Sequence, residues 1–238
     1  MRMKHTLGFA LCLVVAIVPA GAAFGATAIQ TIDAELGGKE TPKFDKKKFK
    51  KSSLEVETTV ADSASATAVP PKATTASIKF DSKDVKFDTK AVPGCAASSI
   101  SGTTTEAALA ACGSAKVGGG GGIVALPFGV GGTRSDFPAV VTAFNRSDAK
   151  GILLHSRVDA LGTTAVLTGS IAGTTLNIEI PPLGGGVGAI AQFQTKVQAG
   201  KYVQGRCKSK TIKTSSTFTY SDAPAATATD SQKCKQKS

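Results

Sequence analysis

Residues 137–183 read FPAVVTAFNRSDAKGILLHSRVDALGTTAVLTGSIAGTTLNIEIPPL, and this stretch decides the fold. It holds four short runs rich in Val, Ile, Leu and Thr: FPAVVTAFN (137–145), GILLHSRV (151–158), TTAVLTGSIA (163–172) and TTLNIEIPPL (174–183). Gly, Asn, Asp and Pro cut them at intervals of about ten residues, the pattern of an antiparallel strand array. The connections leave no room for crossover helices, which argues against a parallel α/β sheet.

The pattern extends both ways. IVALPF (123–128), AIAQFQTKV (189–197), KYVQGRC (201–207) and TIKTSSTFTYSD (211–222) read as further strands, and SLEVETTV (53–60) alternates like one. The expectation is an all-β chain, an antiparallel immunoglobulin-like β-sandwich occupying residues 53–238 as a single domain. ADSASATAVPPKATTA (61–76) reads as a linker or long surface loop. SIKFDSKDVKFDTK (77–90) reads as a β-hairpin. The one helix signal is SGTTTEAALAACG (101–113), with Thr103 and Glu106 at capping-box spacing and Gly113 as its stop.

The N-terminus has the build of a secretory signal peptide over residues 1–25. Arg2 and Lys4 precede an apolar run from Leu7 to Val18, Pro19 and Gly21 break it, and small residues follow. That run is shorter than the roughly 20 residues a membrane span needs. Removal would leave 26 basic against 17 acidic residues, a net charge of +9. It would also leave four cysteines, Cys95, Cys112, Cys207 and Cys234. An even number in an exported chain reads as two disulfides. Three pairings are possible; Cys95–Cys112 and Cys207–Cys234 are favoured because each closes a short loop. Zinc is disfavoured for want of C-x-x-C spacing and histidines.

Positive charge is concentrated. KETPKFDKKKFKKS (39–52) carries Lys39, Lys43, Lys46, Lys47, Lys48, Lys50 and Lys51 against Glu40 and Asp45. A second cluster comes late, with Arg206, Lys208, Lys210, Lys213, Lys233, Lys235 and Lys237. Residues 26–52 read as a flexible basic tail. For an exported chain the partners of such a tail are anionic cell-envelope polymers or lipid head groups, not a specific nucleic acid.

Catalytic and cofactor chemistry finds little support. AKVGGGGGIVALPFGVGGTR (115–134) lacks the G-x-x-x-x-G-K-[ST] of a phosphate loop. The G-x-G-x-x-A at Gly184, Gly186 and Ala189 follows two prolines and precedes a strand, not a helix. Both glycine runs read as turns or as places of close backbone approach. No cofactor is expected. A hydrolase would have to use His155, placed on a surface or edge position, or a carboxylate pair among Asp136, Asp148, Asp159 and Glu179. Asp81, Asp84 and Asp88 invite calcium, but lysines intervene. Asn145-Arg146-Ser147 is a formal glycosylation sequon. A carrier of small apolar ligands would need a cavity between the sheets.

Taken together, FDTKAVPGC (87–95), GTTTEAALAACGSAKVG (102–118), VTAFN (141–145), GILLH (151–155), PPLGGGVGAI (181–190), KYVQGRC (201–207) and TYSDA (219–223) resemble a group of uncharacterised exported bacterial proteins. The resemblance implies a secreted β-sandwich with four disulfide cysteines and brings no activity. The expected function is that of a secreted or envelope-associated, non-catalytic binding or structural protein, held to anionic polymers by its lysines. The alternative is the extracellular hydrolase.

Overall fold

A computed structural model describes residues 27–198 and 200–237; the expected signal peptide lies outside them. The strands, in chain order, are β1 (Ala28–Leu36), β2 (Lys43–Asp45), β3 (Lys50–Lys51), β4 (Leu54–Asp62), β5 (Ala73–Phe80), β6 (Val85–Phe87), β7 (Lys116–Leu126) and β8 (Ser135–Asn145). There follow β9 (Gly151–Val158), β10 (Thr163–Ala172), β11 (Thr175–Glu179), β12 (Ala189–Val197), β13 (Val203–Gly205), β14 (Thr211–Tyr220), β15 (Ala226–Lys233) and β16 (Lys235–Lys237). Among the described residues one α-helix, α1 (Thr105–Cys112), lies between β6 and β7.

The chain is all-β and its large sheet antiparallel, as the sequence predicts. The two-sheet immunoglobulin-like sandwich is not what forms. Eleven strands make one sheet in the order β1-β4-β12-β7-β8-β9-β10-β11-β5-β14-β15, and it curls until β1 meets β15. Alternation turns Leu54 and Val56 of β4, Ala76, Ile78 and Phe80 of β5, and Ile152 and Leu154 of β9 into one common core. The expected hairpin over 77–90 is also corrected. Both edges of β5 are taken, by β11 and β14, so β6 pairs with β13 instead.

An odd number of alternating strands leaves the first and last parallel to each other. They cannot share an antiparallel ladder, so side chains close the seam. Asp230 Oδ2 accepts from the Ala34 amide at 3.1 Å. Gln232 Oε1 accepts from the Leu36 amide at 2.9 Å, and its Nε2 donates to the carbonyls of Leu36 (3.1 Å) and Lys39 (2.7 Å). Capping the edge in this way also blocks pairing with another chain. Gln232→Ala removes three hydrogen bonds and leaves buried backbone groups unpaired. The expected cost is about 2–3 kcal/mol in urea unfolding, with faster exchange of the Leu36 amide.

The glycine run at 118–122 is not a turn but part of β7. A Cβ on Gly118 would stand 2.0 Å from the Lys196 carbonyl oxygen, and one on Gly120 2.1 Å from that of Gln194. These glycines let β7 lie against β12 more closely than any side chain permits. Gly184–Gly186 do form a turn, with positive φ at each residue.

Helix α1 starts one residue later than expected. Thr104, not Thr103, is its N-cap, accepting from the Ala107 amide at 3.2 Å. The Cys95–Cys112 disulfide fastens this segment against the outside of β8 and β9, where Ile100, Ala108, Phe144 and Leu153 form a second apolar cluster. The other disulfide is Cys207–Cys234. Both favoured pairings form. Two disulfides fit an oxidising compartment outside the cytoplasm.

Candidate functional site

The segment read as a basic tail is folded. β1 pairs with β4 along its whole length, from Ala28↔Asp62 to Leu36↔Leu54. Beyond Leu36 the chain covers the end of the barrel at which β1, β5, β12 and β15 finish. There β2 pairs in parallel with β16, placing Lys43 beside Lys235, and β3 joins β13 and β6. Phe44, buried with Leu36, Val85, Tyr202 and Val203, gives this cap its own apolar floor. Backbone bonds stitch it across the sequence: Ser52 N to Val203 O at 3.0 Å, Cys207 N to Asp45 O at 2.9 Å, and Lys235 N to Pro42 O at 2.8 Å. Cys207–Cys234 locks the late segments together. Folding wins here because Phe44 alternates with polar neighbours and has a pocket to fill, which lysine counting does not register.

The two lysine clusters thus become one surface. Lys39, Lys43, Lys46, Lys47, Lys48, Lys50 and Lys51 are all exposed, and so are Lys208, Lys210, Lys233, Lys235 and Lys237. Lys83 and Lys86, which sequence reasoning assigned to a hairpin, join them through β6. None of the ion pairs among the described residues involves these lysines. Asp45 Oδ1 accepts from the amides of Lys47 (2.7 Å) and Lys48 (2.9 Å), which fixes the turn that displays Lys46–Lys48. The same bonds, from Lys48 first and then Lys47, hold the Asp45 carboxyl below the usual carboxylate range. Beneath the lysines lies Asp84, fully buried, with Oδ1 accepting from the Lys208 amide. Among the described residues no three of His, Cys, Asp and Glu gather as a metal site, so Asp81, Asp84 and Asp88 do not come together as one.

Negative charge lies elsewhere. On the outer wall Asp33 faces Glu57 across β1–β4, and Glu35 faces Glu55. Partial burial, then the neighbouring carboxylates, raises Asp33 and Glu35 above their usual range. Gln192 and Gln194 donate to Glu57 and Glu55.

The hydrolase candidates are dispersed. Asp136, Asp148 and Asp159 each pair with the arginine two residues before it, Arg134, Arg146 and Arg157. Glu179 alone of the four lines a groove of about 290 Å³ on the wall formed by β5, β11 and β10, among Thr75, Ser77, Thr168, Ser170 and Asn177. His155, expected at the surface, has no exposed area. It lies beneath the α1 segment, where Nε2 donates to the Thr103 carbonyl at 3.1 Å and Nδ1 has no partner. Among the described residues no serine or carboxylate is bonded to it. The sequon Asn145 is also fully buried, its amide donating to the carbonyls of Thr89, Val92 and Pro93. A glycan cannot be attached there in the folded protein. Inside the barrel, the space beside Gly122, Leu167 and Phe193 amounts to about 20 Å³, too little for a carried ligand.

Burial, with Arg157 adding to it, lowers the His155 pKa below its ordinary 6.5, and the Thr103 bond offsets this only in part. The folded protein therefore holds His155 neutral where the unfolded chain takes up a proton. Its contribution is complete above about pH 6.5 and is lost as pH falls from there towards the lowered folded value. The expected result is a loss of up to about 1.4 kcal/mol per pH unit in that window. Melting curves from pH 7.5 to 4.5 measure it, and His155→Gln flattens that component.

No protein-family model, no curated protein and no solved structure shows significant similarity to the chain. Among the described residues no helix is long and apolar enough to cross a membrane.

Proposed function

We propose that this is a non-catalytic binding protein, exported from the cell and held at the cell envelope by anionic polymers that dock on its basic end. The exported setting rests on the signal-like N-terminus and the two disulfides. The observation that carries the reading is the assembly of lysines from residues 39–51, 83–86, 208–210 and 233–237 on one folded, disulfide-stapled surface, none of them in an ion pair among the described residues. Keeping so many like charges together costs stability through self-repulsion, and an anionic partner removes that cost. The scarcity of paired catalytic side chains leaves binding as the better-supported activity.

The test is sedimentation of the purified protein with isolated cell envelopes across a salt series. Deleting residues 29–52 would take β1 out of the sheet, so charge reversal is the right perturbation. Lys46→Glu, Lys47→Glu and Lys48→Glu together change only an exposed turn. Each lysine near an anionic surface contributes about 1 kcal/mol, so retention should fall at least tenfold in the triple variant and be lost in high salt for the wild type. Wild-type protein that stays in the supernatant at low salt contradicts the proposal, as does binding indifferent to both salt and charge reversal.

A further inference from the structure

Which polyanion the basic end takes follows from what its side chains have left to offer. Arg206 is the arginine of this surface, and it is committed. Its Nε donates to the Lys83 carbonyl, Nη1 donates to the Lys47 carbonyl at 3.3 Å, and its guanidinium sits 4.2 Å above the centre of the Phe49 ring. The planar fork that grips carboxylates in a bidentate manner is therefore withdrawn. What remains is lysine, a compact point charge that donates to a phosphate oxygen from any direction.

Aromatic platforms are withdrawn too. Phe44 and Tyr202 are buried, and Phe49 is covered by Arg206. Nucleic-acid bases have nothing to stack on. The exposed large apolar residues lie elsewhere, with Ile29, Phe128, Val130 and Val187 at the opposite end of the barrel and Val140 on its wall. Among the described residues no exposed large apolar side chain stands beside these lysines to insert into a bilayer, Phe49 being half-buried under Arg206. Spacing supplies the last constraint. Lys235 and Lys237 are two residues apart on one strand, about 6.6 Å, and Lys43 is in register with Lys235 on the next strand, about 4.8 Å away. Consecutive charges of a flexible chain can settle on such a grid.

We infer that the ligand is a flexible phosphate-bearing polymer, bound through its phosphates alone, without readout of base or sugar. This rests on the polyanion reading given above and narrows it to one class.

The test is an equilibrium titration of the intact, disulfide-bonded protein with four labelled probes: inorganic polyphosphate, oligothymidylate, an abasic phosphodiester oligomer of the same length, and polyglutamate matched in charge. The expected result is that polyphosphate binds, that oligothymidylate and its abasic counterpart bind within about threefold of each other, and that polyglutamate binds at least about tenfold more weakly. Log affinity for the phosphate probes falls linearly with log salt. Oligothymidylate binding far above the abasic oligomer would overturn the inference, because bases would then be read. Polyglutamate binding as well as the phosphate polymers would overturn it while leaving the polyanion reading intact. Failure of all four at low salt would overturn that reading itself, and this inference with it. Preferential binding of phosphatidylglycerol vesicles in a parallel titration would assign the surface to a membrane and likewise overturn the inference.

Discussion

Gly120→Val does not give a stable fold. A Cβ at this position would stand 2.1 Å from the Gln194 carbonyl oxygen and 2.8 Å from its carbon, on the central strand pair β7–β12. Real Cβ atoms do not approach backbone so closely, and the obstacle is backbone, which has no rotamer to escape into. The two strands would have to separate where Thr195 pairs with Gly120. The expected loss is more than about 3 kcal/mol, beyond the ordinary range for overpacking, and shows as insoluble expression or a collapsed thermal transition. Gly113→Ala is the control. Gly113 sits at the end of α1 with φ −57°, and nothing lies within 4 Å of an added Cβ. It should be neutral or slightly stabilising, since alanine restricts the unfolded chain.

Removing the Cys207–Cys234 disulfide by paired serine substitution has the next largest effect. The bridge closes a loop of 27 residues, and the chain-entropy relation gives about 3.5 kcal/mol for a loop of that size. The loss is concentrated at the basic end. β13 and β16 carry the strands that β3 and β2 pair with, so loosening either frees lysines from the common surface. Denaturant unfolding should therefore show the lower stability, and polyanion affinity should fall with it. The corresponding change at Cys95–Cys112 costs about 3 kcal/mol for its 17-residue loop but leaves polyanion affinity unchanged, because it holds the α1 segment on the outer wall.

Most of the strands between residues 53 and 222 and both disulfides were legible in the sequence because they are local, whereas β1, β2, β3, β15 and β16 were not, and β7 begins at Lys116, ahead of the run that starts at Ile123. Leu54, Val56 and Val60 alternate within one run, and Cys95 and Cys112 flank a single helix. The choice between sandwich and barrel is not local. Period-2 alternation gives one buried and one exposed face in either architecture. What decides is that β4 pairs with β12 while β5 pairs with β11 and β14, joining residues from 96 apart (Lys79 with Thr175) to 147 apart (Ala73 with Tyr220). The site was half legible for the same reason. Every lysine of 39–51 was visible, but not that Phe44 anchors them or that β16 lies alongside β2. Phe44 among lysines looks like a solvated run until its pocket, built from Leu36, Gly205 and their neighbours, is known. His155 misled in the opposite sense. Its alternation with Arg157 marks an outward face, and only the disulfide-held α1 segment makes that face an interior.

Amide hydrogen exchange over residues 39–52 tests the central claim most directly, since the composite basic surface exists only if this segment is folded. Protection is expected at Ser52, and at Cys207 and Lys235, whose amides donate to the carbonyls of Asp45 and Pro42. It should weaken when Cys207–Cys234 is reduced. Exchange at the rate of an unstructured chain throughout 39–52, with the disulfide intact, would contradict the account: the lysines would then form a tail and not a surface.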